Sequence, residues 1–251
     1  MPRITRRHFL QIAGSGLLVA HSPYLLAQPP KKKLGVALLG LGNYSTNLLA
    51  PALQHTEHCE LRGIITGSEE KIPKWQRKHG IKDSNVYTYR TMAEIADNDD
   101  IDVIYVVTPT GTHKNFAVQA ANTGKHVWCE KPMAMDSEEC QAIIDACNKN
   151  NVTLSIGYRM QHEPNTRTFH QYLETKPYGD ITAVSSFAGY AGQGRAADNW
   201  RMKKHMGGGA LYDMGVYAIN SARFLTGQEP LSVTGSHPPQ RFPEKFTEVD
   251  E

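Results

Sequence analysis

Cysteine is scarce, with four residues in 251 and no CxxC pair, which excludes a disulfide scaffold. Cys59, Cys129, Cys140 and Cys147 therefore read as buried free thiols. On a helix, Cys140 and Cys147 would stand about 10 Å apart along the axis, too far to bridge without distortion. An excess of one charge is also missing. Arg3, Arg6 and Arg7 precede any acid, and without residues 1–27 the 27 basic side chains fall to 24 against 25 acidic ones. That balance excludes a general attraction to nucleic acid or to an anionic membrane. Repeats and low-complexity tracts are lacking too, and no metal is expected. What is present, 40% hydrophobic and 21% charged residues, describes an ordinary globular chain of one large domain or two small ones.

The first segment reads as an address. Thr5-Arg6-Arg7-His8-Phe9-Leu10 leads into an apolar run from Ile12 to Leu26, interrupted by Gly14, Gly16, His21 and Pro23. That run is too broken and short for a comfortable membrane span. A basic start, a short apolar centre and a small residue at Ala27 are the parts of an export signal. The paired arginines make residues 1–27 similar to the signal of the twin-arginine route, which implies a periplasmic protein. Leu25 is a poor residue near the end of such a signal, so a retained N-terminal anchor is the alternative. Residues 28–33, rich in proline and lysine, read as an extended arm.

From Lys33 the pattern alternates between strand and helix. Strands are predicted over Leu34–Leu39, Leu61–Thr66, Ile101–Val107, His126–Cys129 and Thr153–Ile156. Helices are predicted from Ser45, as a cap, to about Gln54, and over Ile72–His79, Phe116–Ala121 and Asp136–Asn148. Such alternation implies a parallel sheet with helices on both faces. After Gly157 the rhythm changes to a helix over Pro164–Thr175, a strand over Ile181–Phe187, a helix over Ala210–Leu225 and a possible strand over Leu231–Thr234. One firm strand cannot cover two helices, so the chain is expected to stop inside its second domain.

Gly40-Leu41-Gly42, between a strand and a helix, suits a dinucleotide pyrophosphate: glycine lets the backbone approach and the helix start offers aligned N–H groups. Ser45 stands at the usual third glycine position. At the end of the second strand there is no acid to hold a ribose 2′-hydroxyl. Ser68, Lys71 and Lys74 instead suit a 2′-phosphate, which favours NADP over NAD. The plainer reading of both lysines is solvated helix-face charge. Thr108-Pro109 and Glu130-Lys131-Pro132 each follow a strand, at the sheet edge where ligands bind. Proline after Lys131 holds that lysine in an extended backbone, from which it could stabilise a developing oxyanion. Asp213 and Tyr217, four apart, share a helix face behind Gly207-Gly208-Gly209. Tyr217 needs a nearby cation to act as a base near neutrality, and Lys131 could supply it.

Gly40-Leu41-Gly42-Asn43-Tyr44, Thr108-Pro109 with His113, Gly124-Lys125-His126-Val127 leading to Glu130-Lys131-Pro132-Met133-Ala134, Gly157-Tyr158-Arg159, Trp200-Arg201 and the glycine-led helix with Asp213 occur in this order. Together they resemble the glucose-fructose oxidoreductase and inositol dehydrogenase family. Tyrosine at 217, where most members have histidine, is similar to the glucose-fructose oxidoreductase branch. The resemblance implies an α/β fold: an N-terminal Rossmann dinucleotide-binding domain over residues 34–157, then an incomplete α+β open-sheet domain over 158–251. It implies hydride transfer between a sugar or polyol and a tightly held NADP, with NAD as the alternative cofactor. Tyr217 would act as base, with Lys131 lowering its pKa and holding the oxygen, and Asp213 orienting substrate and Tyr217. Gly40, Leu41, Gly42, Asn43, Tyr44, Ser68, Lys71, Thr108, Pro109, His113, Glu130, Lys131, Arg159, Trp200 and Arg201 would line the cofactor. The resemblance also implies a homo-oligomer for the full-length protein. Two other readings are a glycosidase of the same fold that oxidises the sugar ring transiently with bound NAD, and a non-catalytic sugar-binding relative.

Overall fold

Short apolar segments bounded by turn residues become strands covered on both faces. The computed structural model describes residues 33–192 and 194–251. The export signal expected over 1–27, and the arm up to residue 32, lie outside the described residues. Six strands form one sheet: β1 (Leu34–Leu39), β2 (Cys59–Thr66), β3 (Val86–Thr88), β4 (Val103–Val106), β5 (His126–Cys129) and β6 (Leu154–Ile156). All pairs are parallel and the spatial order is β3-β2-β1-β4-β5-β6. The order reverses beside β1, so the connections that follow β1 and β4 run in opposite directions along the sheet and leave a crevice between them.

Alternation along the central strands divides the core. Val36, Leu38, Ile64 and Val103 pack on one face against Ala50, Leu53 and Trp75. Ala37, Leu39, Ile65, Ile104 and Val106 pack on the other against Ala117, Ala120, Ala121 and Ile143. Around the sheet lie α1 (Ala50–Leu53), preceded by a π-turn over Ser45–Leu49, α2 (Ile72–His79), α3 (His113–Asn122) and α4 (Ser137–Lys149). Asp136 caps α4 as expected, its carboxylate accepting the Glu139 N–H at 2.8 Å. Ser45 does not cap. It lies inside the helical segment, fully buried, and its hydroxyl donates to the Gly40 carbonyl at 2.6 Å. A side chain bonded back to the preceding turn cannot reach the N–H groups ahead of it. β3 was not expected, because three residues are too few to show a period.

The second half contains α5 (Pro164–Thr175) and α6 (Val216–Thr226), the latter preceded by a π-turn over Leu211–Gly215. Glu163 caps α5 by accepting the Thr166 N–H at 2.9 Å. The strands expected over Ile181–Phe187 and Leu231–Thr234 form no ladder among the described residues. Their apolar side chains stay outside the core, Phe187 at 95% and Val233 at 83% exposure. A β-rich composition yields a strand only where a second backbone edge pairs with it.

Residues 204–212 dock tightly on the carboxyl edge of the sheet. A Cβ on Gly111 would lie 2.3 Å from the His205 carbonyl oxygen, and one on Gly207 would lie 2.6 Å from Thr110 Cβ. The Tyr212 hydroxyl donates to the Met135 carbonyl at 2.7 Å. Two glycines therefore let the loops after β4 and β5 meet the segment that leads into α6. That approach brings the groups from the two halves together.

Candidate active site

The loop after β1 has one side closed and one open. Gly40 adopts φ +100°, and a Cβ there would lie 2.8 Å from the Val107 carbonyl oxygen, so only glycine fits. A Cβ on Gly42 would meet no atom within 4 Å. Leu41 is buried beneath the loop, while Gly42 and Asn43 are exposed at its crest. This bare backbone at the start of a helical segment fits the pyrophosphate of a dinucleotide. Asn43 is tied to Asn47, whose amide donates to its side-chain oxygen at 2.6 Å. On the β2 side, Lys71 Nζ reaches over and donates to the Leu41 carbonyl at 3.2 Å, and the Ser68 N–H donates to Thr66 Oγ1 at 3.0 Å. Glu69 and Glu70 point to solvent, leaving Lys71 as the charge nearest the loop.

Across the crevice, the loops after β4 and β5 are joined by His113. Its Nδ1 lies 2.8 Å from the Pro132 carbonyl oxygen and its Nε2 lies 2.8 Å from that of Thr108. A neutral ring donates to one of these at a time. Burial holds the imidazole below its ordinary pKa against the pull of the facing carbonyls. At 1% exposure His113 is enclosed between the two loops, with both ring nitrogens facing backbone carbonyls. Pro109 accepts from Thr112 through its carbonyl at 2.7 Å, which keeps the Thr108-Pro109 turn closed. The Lys131-Pro132 peptide bond is cis.

Lys131 leaves this edge and crosses to the second half, 11% of its side chain remaining exposed. Its Nζ donates to the Asp213 main-chain carbonyl at 2.6 Å and to Asp213 Oδ1 at 3.3 Å. The ammonium also lies 4.6 Å from the centroid of the Tyr217 ring, on its face. Lys131, Asp213 and Tyr217 are thus brought together, with Lys131 as the link. Asp213 sits in the π-turn Leu211–Gly215 and Tyr217 in the first turn of α6. Asp213 Oδ2 accepts from the Tyr190 hydroxyl at 2.5 Å and from Arg201 Nε at 2.7 Å. Burial by itself would raise the Asp213 pKa; the Tyr190 hydrogen bond and the charges of Arg201 and Lys131 outweigh it and hold the carboxyl below its ordinary value.

A second acid lies next to Lys131. Glu130 is buried, and its Oε1 accepts the Tyr105 hydroxyl at 2.5 Å. A Cβ on Gly157 would lie 2.7 Å from that same oxygen, so glycine there makes room for the carboxylate. Burial raises the pKa of Glu130 despite the Tyr105 hydrogen bond and the Lys131 and Arg159 charges. Burial, with the Glu130 charge adding to it, pushes the Tyr44 phenol up to about 12. Arg159 completes the group, its guanidinium 6.0 Å from the Tyr217 ring centroid. Trp200 is stacked under the Arg201 guanidinium at 4.3 Å, and Arg201 is engaged by Asp213. The sequence reading missed Tyr190 and Tyr105. Tyr105 is the one side chain with a polar tip in the otherwise apolar β4, a signal that was available. Tyr190 lies in no regular element, and only the fold brings it to Asp213.

A family model described as "Oxidoreductase family, NAD-binding Rossmann fold" matches residues 34–158, and one described as "GFO/IDH/MocA C-terminal domain" matches residues 166–251. D-xylose 1-dehydrogenase [NADP(+)] of Haloarcula marismortui is 28% identical over 203 residues, covering 80% of this chain and 56% of that protein. Levoglucosan dehydrogenase of Pseudarthrobacter phenanthrenivorans is 35% identical over 171 residues, covering 66% of this chain and 42% of that protein. The crystal structure of aldose-aldose oxidoreductase from Caulobacter crescentus, complexed with glycerol, superposes with a TM-score of 0.79 at 34% identity, covering 86% of this chain and 64% of that one. The chain spans about half the length of the curated relatives it matches.

Proposed function

The chain belongs to the GFO/IDH/MocA oxidoreductase family, and from that premise we propose that it transfers hydride between a sugar or polyol and a nicotinamide dinucleotide held over the Gly40–Gly42 loop. The observation that carries this reading is the convergence of Lys131, Asp213 and Tyr217 at the crevice beside that loop. When bound, the nicotinamide ring supplies the acceptor and donor of hydride. The protein's own residues do the rest. Tyr217 takes the hydroxyl proton on its phenolic oxygen as the carbon is oxidised, and returns it in the reverse direction. Lys131 offers its positive charge to the oxygen on which negative charge develops. Asp213, through its carbonyl and carboxylate, aims that ammonium. Tyr44, Thr108, Pro109, Glu130, Arg159, Trp200 and Arg201 form the surrounding wall, with Ser68 and Lys71 at the adenosine end.

NADP is the cofactor we favour. The support is a β2 end without an acid and a lysine directed at the glycine loop, together with the NADP(+) named for the haloarchaeal relative. Export through the twin-arginine signal at residues 1–27 would carry the folded protein, with its nucleotide already bound, to the periplasm. There the nucleotide would cycle between two sugars without release, and subunits would assemble as a homo-oligomer. We assign residues 34–157 to nucleotide binding and 158–251 to the substrate side.

Mass spectrometry of the nucleotide released on denaturing the purified protein tests this reading. NADP at near one equivalent is expected. Protein that carries no nucleotide and binds neither NADP nor NAD would overturn it.

A further inference from the structure

Asp213 has more donors than a pair with Lys131 requires. Oδ1 and the main-chain carbonyl face the Lys131 ammonium, while Oδ2 accepts from two groups on separate segments, the Tyr190 hydroxyl at 2.5 Å and Arg201 Nε at 2.7 Å. The last torsion of an aspartate is broad, so one donor on Oδ2 leaves Oδ1 free to swing, whereas two donors from separate segments fix its direction. We propose that Tyr190 is a positioning residue for the hydride-transfer reaction, its hydroxyl fixing Asp213 Oδ2 so that Oδ1 holds the Lys131 ammonium at the reacting oxygen. This inference rests on the function proposed above for the Lys131 site.

Three observations favour a positioning role over simple packing. Tyr190 is 47% exposed and adds little to the core, yet its hydroxyl reaches the carboxylate of Asp213, a residue only 7% exposed. The ring is itself held from outside, with the Arg195 guanidinium 4.5 Å from its centroid. The charges provide the third reason. Two cations, Lys131 and Arg201, already face the single carboxylate. A third cation would compete with Lys131 for Asp213, whereas a neutral phenol adds a strong donor and leaves the charge of the site unchanged.

Tyr190→Phe, made in the holoenzyme with its nucleotide bound, tests the inference. The substitution removes one oxygen and leaves the half-exposed ring in place. Loss of a hydrogen bond to a charged group predicts that kcat falls about 10- to 100-fold, with KM for the sugar or polyol changed by less than about threefold. The rate of hydride transfer in a single turnover, normalised to bound nucleotide, counts only folded molecules and should fall by the same factor. A normalised rate within about twofold of the parent overturns the inference. So does a loss expressed in KM alone, or a variant that no longer retains nucleotide. If the parent holoenzyme itself transfers no hydride with any sugar or polyol, the functional reading fails first, and this inference fails with it.

Discussion

Replacing Lys131 by methionine keeps an unbranched side-chain stem and removes the ammonium that faces Asp213 and Tyr217. Lys131 Nζ stands 3.3 Å from Asp213 Oδ1, a gross attraction of about 5 kcal/mol at an effective dielectric constant near 20. Breaking a buried pair commonly costs about 3–5 kcal/mol, because the remaining charge is left without a partner. Here Asp213 keeps Arg201 at 2.7 Å and Tyr190 at 2.5 Å, so the loss of stability should be nearer 1–2 kcal/mol, or roughly 5 °C in Tm. The chemical step has no such substitute, since the Arg201 Nε is turned toward Asp213. Removal of a preorganised charge from a reacting oxygen lowers kcat by about 10²–10³-fold or more. The assay is single-turnover hydride transfer on nucleotide-loaded protein, with a thermal melt alongside. A Lys131→Met protein that reacts within tenfold of the parent would refute the reasoning. A melt lowered by more than about 15 °C with loss of nucleotide would show that the lysine is chiefly structural.

The glycine loop separates two effects. Gly40→Ala should destabilise the fold by about 1–3 kcal/mol, from the strained φ and the approach to Val107. Gly42→Ala should leave Tm unchanged and weaken nucleotide binding more than about tenfold, read by titration, because its Cβ enters the space assigned to the pyrophosphate. Lys71→Ala should lower the preference for NADP over NAD by about tenfold in kcat/KM, the loss of one charged contact to a phosphate. Glu130 supplies a pH dependence of definite sign. Its folded-state pKa is raised by burial, so its contribution favours the native state below the unfolded carboxyl value of about 4.3 and is lost as pH rises through the folded pKa. Glu130→Gln should therefore lose less stability than the parent between about pH 4 and neutrality, as followed by denaturant melts. An identical slope in the two proteins would count against a carboxylate whose pKa burial raises.

Much of this fold was legible residue by residue. α2 and α5 were bounded correctly because proline at their starts and αL residues after their ends act over only a few positions, with Gly80 at φ 67° closing α2. Asp136 announced α4 for the same local reason. The strands over Ile181–Phe187 and Leu231–Thr234 were misread because strand propensity is realised by pairing, and pairing is not local. The partners of His113 were not legible for a related reason: which way its ring turns depends on the Pro132 carbonyl 19 positions away. Gly111 gave no sign that it lies against His205, nor Gly207 that it lies against Thr110.

Alternating apolar runs, caps and glycine turns determined, by themselves, a parallel sheet with a bare loop after its first strand and a lysine at its carboxyl edge. Each of these depends on a few neighbouring residues. The tertiary structure alone decided what surrounds Asp213. Its side-chain donors come from Arg201, 12 positions away, from Tyr190 at 23 and from Lys131 at 82. Burial makes an unpaired carboxylate costly, and the docking of residues 204–212 on the sheet edge is what brings Lys131 to it alongside Tyr190 and Arg201.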